Sequence, residues 1–179
     1  MGLKTVYIGL GSNLGDRVLA LDATVTRLKT VEDTRYIALS GIYETSPVGV
    51  GGGLFLNAVT VMETGLGPEV LLKVLLSMET AMGRVREQGE DRSRNIDLDL
   101  LLFANTVVEE KKLTVPHPLM LHRRFVMEPL AELAPDLKIP PSGITASEAA
   151  SDLAIQHPEQ IIRRLGTLEE VKKSLRFEV

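Results

Sequence analysis

The sequence predicts an α+β protein: a split βαββαβ antiparallel sheet with helices packed on it, followed by a C-terminal helical extension. Two observations predict this. Short apolar runs rich in β-formers lie at 5–10, 36–44, 55–63 and 94–103, and stretches with apolar residues three and four apart follow the first and third of them. The resulting order (strand, helix, strand, strand, helix, strand) is that of a ferredoxin-like sheet with helices on one face.

Thr5 to Leu10 (TVYIGL) reads as a buried strand ended by the turn Gly11-Ser12-Asn13-Leu14-Gly15. A helix follows from Asp16 to Lys29, with Val18, Leu21, Val25 and Leu28 as its apolar stripe and Asp16 as cap or first-turn acid. Tyr36 to Glu44 alternates as one strand and stops at Thr45-Ser46-Pro47-Val48-Gly49; the glycines at 51, 52 and 53 make a flexible link. Phe55 to Glu63 is a strand with Phe55, Asn57, Val59 and Val61 on one face. Pro68 and Glu69 open a second helix striped by Leu71, Leu75, Met78 and Met82 and stopped by Gly83. Residues 84–94 carry many charges and no apolar period, which predicts a mobile loop leading directly into the next strand. Val107-Val108 and Leu113 to Val115 predict a small hairpin. Repeated prolines restrict 119–134 to short helical pieces, and 145–179 reads as a helical tail, with Ile161, Ile162, Leu165 and Leu168 among its apolar positions.

A chain of 179 residues fits a single domain, 1–179, with a core at about 5–137 and the tail at about 145–179. The net charge of −4 argues against a general nucleic-acid binder but leaves room for a local basic patch that holds phosphate. There is no cysteine, so disulfides, thiolate metal sites and thiol nucleophiles are excluded, and oxygen and imidazole remain as metal ligands, a set that suits magnesium. No signal-peptide pattern and no apolar run of roughly 20 residues occurs. The expectation is a cytoplasmic monomer that engages no membrane.

The strand RNIDLDLLLF, 94–103, organises the rest. A period of two puts Asp97 and Asp99 on one face with Leu101 and Phe103, opposite Ile96, Leu98, Leu100 and Leu102. At roughly 3.3 Å of rise per residue the carboxylates sit about 6.6 Å apart, within reach of one or two metal ions. Positive groups to meet them stand nearby: Arg84, Arg86, Arg92 and Arg94 before the strand, and His117, His122, Arg123 and Arg124 after it. Metal-holding carboxylates and phosphate-neutralising arginines are the parts phosphoryl-type chemistry requires. Gly9 to Gly15 lacks the spacing of a dinucleotide turn, and no Walker A loop occurs, so phosphates must be held by side chains and metal. Phe55 and Phe125, two of seven aromatics, either pack in the core or stack on a flat heterocycle whose edge Asn57 reads. A non-catalytic ferredoxin-like module that binds nucleotide or RNA is the competing reading.

Four motifs occur in an order that resembles the 6-hydroxymethyl-7,8-dihydropterin pyrophosphokinases of folate biosynthesis: YIGLGSNLGDR at Tyr7 to Arg17; YETSPVG, then FLNAV ending at Val59; RxR followed by RNIDLDLLLF; and VPHP to RRFVMEPLAELAPD ending at Asp136. The resemblance implies magnesium-dependent transfer of pyrophosphate from ATP to the pterin hydroxymethyl group, with release of AMP. It implies two Mg²⁺ on Asp97 and Asp99, and a pterin between Phe55 and Phe125 whose edge meets Asn57 and the backbone at Thr45, Ser46 and Val48. It places Arg84, Arg94, His117 and Arg123 on the phosphates, and Glu79, Leu100, Lys112 and Thr114 around the nucleotide. The chain departs from the family's common Trp and Pro in the loop, having Asp91 and Ser93 there, and its tail is longer than in compact members.

Overall fold

The computed structural model describes residues 2–47, 53–83 and 95–176. Strand β1 (Lys4–Ser12) leads to α1 (Arg17–Leu28), β2 (Thr34–Leu39), β3 (Ile42–Thr45), β4 (Phe55–Thr64), α2 (Pro68–Ala81) and β5 (Asp97–Phe103). A hairpin, β6 (Val108–Glu110) and β7 (Leu113–Val115), precedes α3 (Arg124–Leu133), α4 (Ala146–Gln156), β8 (Ile162–Gly166) and α5 (Leu168–Arg176). The sheet order is β5-β1-β4-β3-β8, with β2 also on β4 and every pairing antiparallel, so the expected core order stands.

Local chemistry explains the expected elements. The Asp16 carboxylate accepts from the Leu19 N–H at 2.9 Å and caps α1. Pro68 begins α2, and Gly83, at φ +85°, lies just beyond its end.

Five expectations need correction, each because a partner distant in sequence takes over. Strand β1 runs on through Gly11 and Ser12, which were expected to turn, because β4 and β5 pair with Gly11 on both sides. The single strand expected at 36–44 is broken at Ser40 and Gly41. There the Ser40 hydroxyl accepts the Val59 N–H at 3.0 Å, and the Glu132 carboxylate accepts the Gly41 N–H at 3.1 Å, so side chains replace ladder bonds. The sheet is covered on both faces: α1, α2 and α5 pack on Val6, Ile8 and Leu100, while α3 and α4 pack on Val59, Leu101 and Leu102. Helix α3 runs ten residues through Pro129. A mid-helix proline costs about 3 kcal/mol, and burial of Val126, Met127 and Leu130, at roughly 1.5–3 kcal/mol for each large side chain, outweighs it. Finally, the tail is not all helix: a capping box at Thr145 starts α4, and residues 162–166 then form β8 against the open edge of β3.

The Glu132 carboxylate ties these elements together. It accepts from the Tyr43 hydroxyl at 2.7 Å and from Arg164 of β8 at 2.8 Å. The Arg164 hydrogen bond, reinforced by Tyr43 and Gly41, holds Glu132 below its ordinary 4.5. A depressed carboxylate contributes stability that is present above its unfolded pKa and lost as pH falls through the folded value. Glu132→Gln is therefore expected to flatten the acid loss of stability below about pH 4.5, read as urea midpoints between about pH 6 and about pH 3; an equal loss in both proteins refutes this.

Candidate active site

Strand β5 is an edge strand, and its register with β1 slips once. Ile8 faces Leu100, Tyr7 faces Leu102 and Val6 faces Phe103, which leaves Leu101 as an extra residue. This bulge corrects the expected alternation: Leu101 and Leu102 both join the α3–α4 face, and Phe103 moves to the α1–α2 face. Asp97 and Asp99 lie before the bulge and keep the shared face the period predicts. At the bulge the Leu101 carbonyl accepts the His117 N–H at 2.8 Å, docking His117 beside the acids.

Two cavities meet at this end of the sheet. The first is lined by Thr45 and Ser46, by Phe55 and Asn57 of β4, and by Phe125 of α3. The second lies along the outer edge of β5, with Leu100, Glu79 of α2, Lys112 and Thr114 of the hairpin, and His117. Asp97, Asp99 and Arg123 line both. Every described residue that the resemblance assigns to the site thus falls in one cavity or the other, whereas His122 and Arg124, also offered as positive groups near the acids, line neither. Val48, Arg84 and Arg94, with the whole 84–94 loop, lie outside the described residues.

The groups constrain one another. Asn57, 5% exposed, donates through Nδ2 to Thr45 Oγ1 at 2.7 Å. Its Oδ1 sits over Gly11, where an added Cβ would come within 3.0 Å of it. A side chain at Gly11 would crowd that oxygen, a constraint its assignment to a turn concealed. Arg17, the first residue of α1, donates to the Leu54 carbonyl at 2.7 Å and pairs with Glu44 at 3.3 Å, so it steadies the entry to Phe55. Its motif named it without giving it a task.

In the second cavity Glu79, only 1% exposed, accepts the Leu98 N–H at 2.7 Å. This N–H points away from β1, and by antiparallel alternation the Leu100 backbone, two residues on, faces the same open edge. Glu79 thus lines the second cavity with its carboxylate bonded to the strand.

Between the cavities, Arg123 Nη1 stands 3.5 Å and His117 Nε2 3.9 Å from Asp99 Oδ2. The Leu119 N–H donates to His117 Nδ1 at 3.1 Å, so the neutral ring carries its proton on Nε2, the atom facing Asp99. Burial lowers the His117 pKa, with Asp99 pulling against it. The Arg123 guanidinium also lies 5.5 Å from the Phe125 ring centroid. Arg124 turns away to Glu128, at 2.7 Å.

No group of three or more His, Asp or Glu converges among the described residues, so they offer no all-protein metal cage. Two hard carboxylates on one face still fit Mg²⁺, which takes one or two carboxylates and completes its shell with phosphate and water.

Comparison with known proteins gives concordant matches. Residues 7–135 match the family described as 7,8-dihydro-6-hydroxymethylpterin-pyrophosphokinase (HPPK). The chain is 43% identical over 152 residues to the 2-amino-4-hydroxy-6-hydroxymethyldihydropteridine pyrophosphokinase of Methylorubrum extorquens, covering 84% of this chain and 94% of that one. The protein of the same name from Pseudomonas aeruginosa is 38% identical over 139 residues, 77% and 85% of the two chains. Among solved structures, wild-type Plasmodium falciparum HPPK-DHPS with pteroate is similar at a TM-score of 0.73 and 15% identity. That match covers 88% of this chain and 45% of the other, and at such identity it speaks for the fold alone.

Proposed function

We propose the roles of individual residues from one premise: the chain belongs to the 7,8-dihydro-6-hydroxymethylpterin-pyrophosphokinase family. It is an ATP-dependent diphosphotransferase of folate biosynthesis that moves pyrophosphate from ATP to the hydroxymethyl group of 6-hydroxymethyl-7,8-dihydropterin. The competing reading, a non-catalytic nucleotide- or RNA-binding module, has no support in these matches.

One observation carries the assignment of residues: Asp97, Asp99 and Arg123 line both cavities, so a group passing from one to the other passes them. In our reading the first cavity takes the pterin. Phe55 and Phe125 stack on its ring, Asn57 meets its polar edge with an orientation set by Thr45, and Thr45, Ser46 and Val48 offer backbone groups. The second takes ATP, with adenine against the open edge at Leu100 between Lys112 and Thr114, and Glu79 keeping that edge in place. The pterin hydroxyl oxygen bonds to the β-phosphorus in line with the departing AMP oxygen, and the hydroxyl proton is released. Asp97 orients that hydroxyl. Arg123 and His117, with Arg84 and Arg94, offset charge on the transferred group. Asp97 and Asp99 would hold Mg²⁺, two ions in our reading, which supplies charge neutralisation to the phosphates when bound.

No described helix is long and apolar enough to cross a membrane. A cytoplasmic monomer, with 1–179 as one domain that has β8 in the core sheet, is the remaining part of the proposal.

The test is to incubate the chain with ATP, Mg²⁺ and 6-hydroxymethyl-7,8-dihydropterin and identify the nucleotide product. AMP is expected. ADP would mean monophosphoryl transfer, and no nucleotide product would mean binding alone; either outcome overturns the reading.

A further inference from the structure

Helix α3 starts without a capping side chain of its own, its N-cap being Arg123. The first N–H groups of a helix lack intrahelical partners. Here the Arg124 N–H is taken by the side-chain oxygen of Gln160, at 3.0 Å, from the segment between α4 and β8. The amide nitrogen of the same side chain donates to the His122 carbonyl at 3.1 Å. Gln160 therefore holds a peptide group on each side of Arg123, much as a paired strand would, and is itself only 8% exposed. Arg124 returns the grip, donating from its guanidinium to the Gln160 carbonyl at 3.0 Å.

Gln160 adds to the hold of the two neighbouring elements. Arg123, extended at φ −124° and ψ 106°, donates its N–H to the Met120 carbonyl of the 3₁₀ turn Met120–His122 at 3.2 Å and accepts at its own carbonyl from the Met127 N–H of α3 at 3.0 Å, and Gln160 bonds the His122 carbonyl and the Arg124 N–H on either side of these. A small rotation there would swing the long side chain off both Asp99 and Phe125. The next residue of the segment holds Ser46, which also lines the first cavity. The Ser46 N–H donates to the Ile161 carbonyl at 3.1 Å, and the Ile161 N–H donates to Ser46 Oγ at 3.2 Å.

We infer that Gln160 is a positioning residue for pyrophosphoryl transfer: by bonding the peptides on either side of Arg123, it aims the guanidinium at the boundary between the two substrate cavities. The inference rests on the role proposed above for Arg123. Misplacement of a reacting or charge-stabilising group by about 1 Å can cost about 10²-fold in rate.

The experiment measures single-turnover AMP formation by the full chain with saturating ATP, Mg²⁺ and pterin. Gln160→Met keeps the side-chain length and removes both amide contacts. Gln160→Asn stays polar, is too short to span both peptides, and carries the test if the Met variant does not fold. Each is expected to slow transfer by about tenfold or more, with pterin affinity held within about twofold. In an Arg123→Ala background the same substitutions should add no further loss, because the group they aim is gone. An equal loss in both backgrounds, or a folded Gln160→Asn protein with the parent rate, overturns the inference. If Arg123→Ala alone leaves the rate unchanged, the role of Arg123 fails first and takes the inference with it, which separates the two failures.

Discussion

Asp97→Ala is expected to lower the single-turnover rate of AMP formation by at least about 10³-fold while shifting pterin affinity by no more than about threefold. The asymmetry follows from where Asp97 stands. Its residue pairs with Gly11 at the start of β5 and lies on the boundary of both cavities, whereas Phe55, Phe125 and Asn57 line the first alone. The pterin ring would therefore keep its stacking and its polar contacts, and the loss would fall on charge at the reacting phosphates, which develops in the transition state. Asp97→Asn tests whether charge or shape matters. It keeps the side-chain outline and removes the negative charge, so it should be nearly as slow as Asp97→Ala. Pterin binding by fluorescence titration and product formation by rapid quench give the two readings separately, and near-normal turnover in Asp97→Ala would sink the assignment.

The sequence made Asp97 legible because a strand's period of two is local. Two acids two residues apart share a face whatever surrounds them, and they do so here up to the bulge at Leu101. The bulge itself is a property of the β1–β5 pairing, and no single-strand pattern encodes it. The same distinction explains the other differences. The caps of α1 and α2 lie within a few residues of the helices they end, and were readable. The break between β2 and β3 depends on Glu132, 91 residues from Gly41, and β8 depends on the open edge of β3. Ile161 and Ile162 fit a strand as well as a helix, and only the edge that was available decided between them. Gly11 and Gln160 gave least warning. One lies close under the oxygen of Asn57, and the other bonds peptide groups 36 and 38 residues away.

Arg123→Ala is expected to slow transfer by about 10²- to 10³-fold, with a smaller effect on the affinity for ATP. The Arg123 side chain is 25% exposed and stands where Asp99 and the Phe125 wall of the candidate pterin cavity meet. Its position uses two properties of a guanidinium at once. The charge faces Asp99 at 3.5 Å, and the planar group lies 5.5 Å from the Phe125 centroid. Lysine offers a point charge without the planar fork, so Arg123→Lys should recover only a minor part of the rate. Magnesium titration separates this loss from damage to the carboxylate pair. With the arginine gone, Asp99 has lost a competing cation, so the metal requirement should not rise and extra Mg²⁺ should not restore turnover. A lysine variant at the parent rate, or rescue of Arg123→Ala by Mg²⁺ alone, would show that Arg123 supplies only net charge near Asp99, and that the geometry of its fork has no part in the transfer.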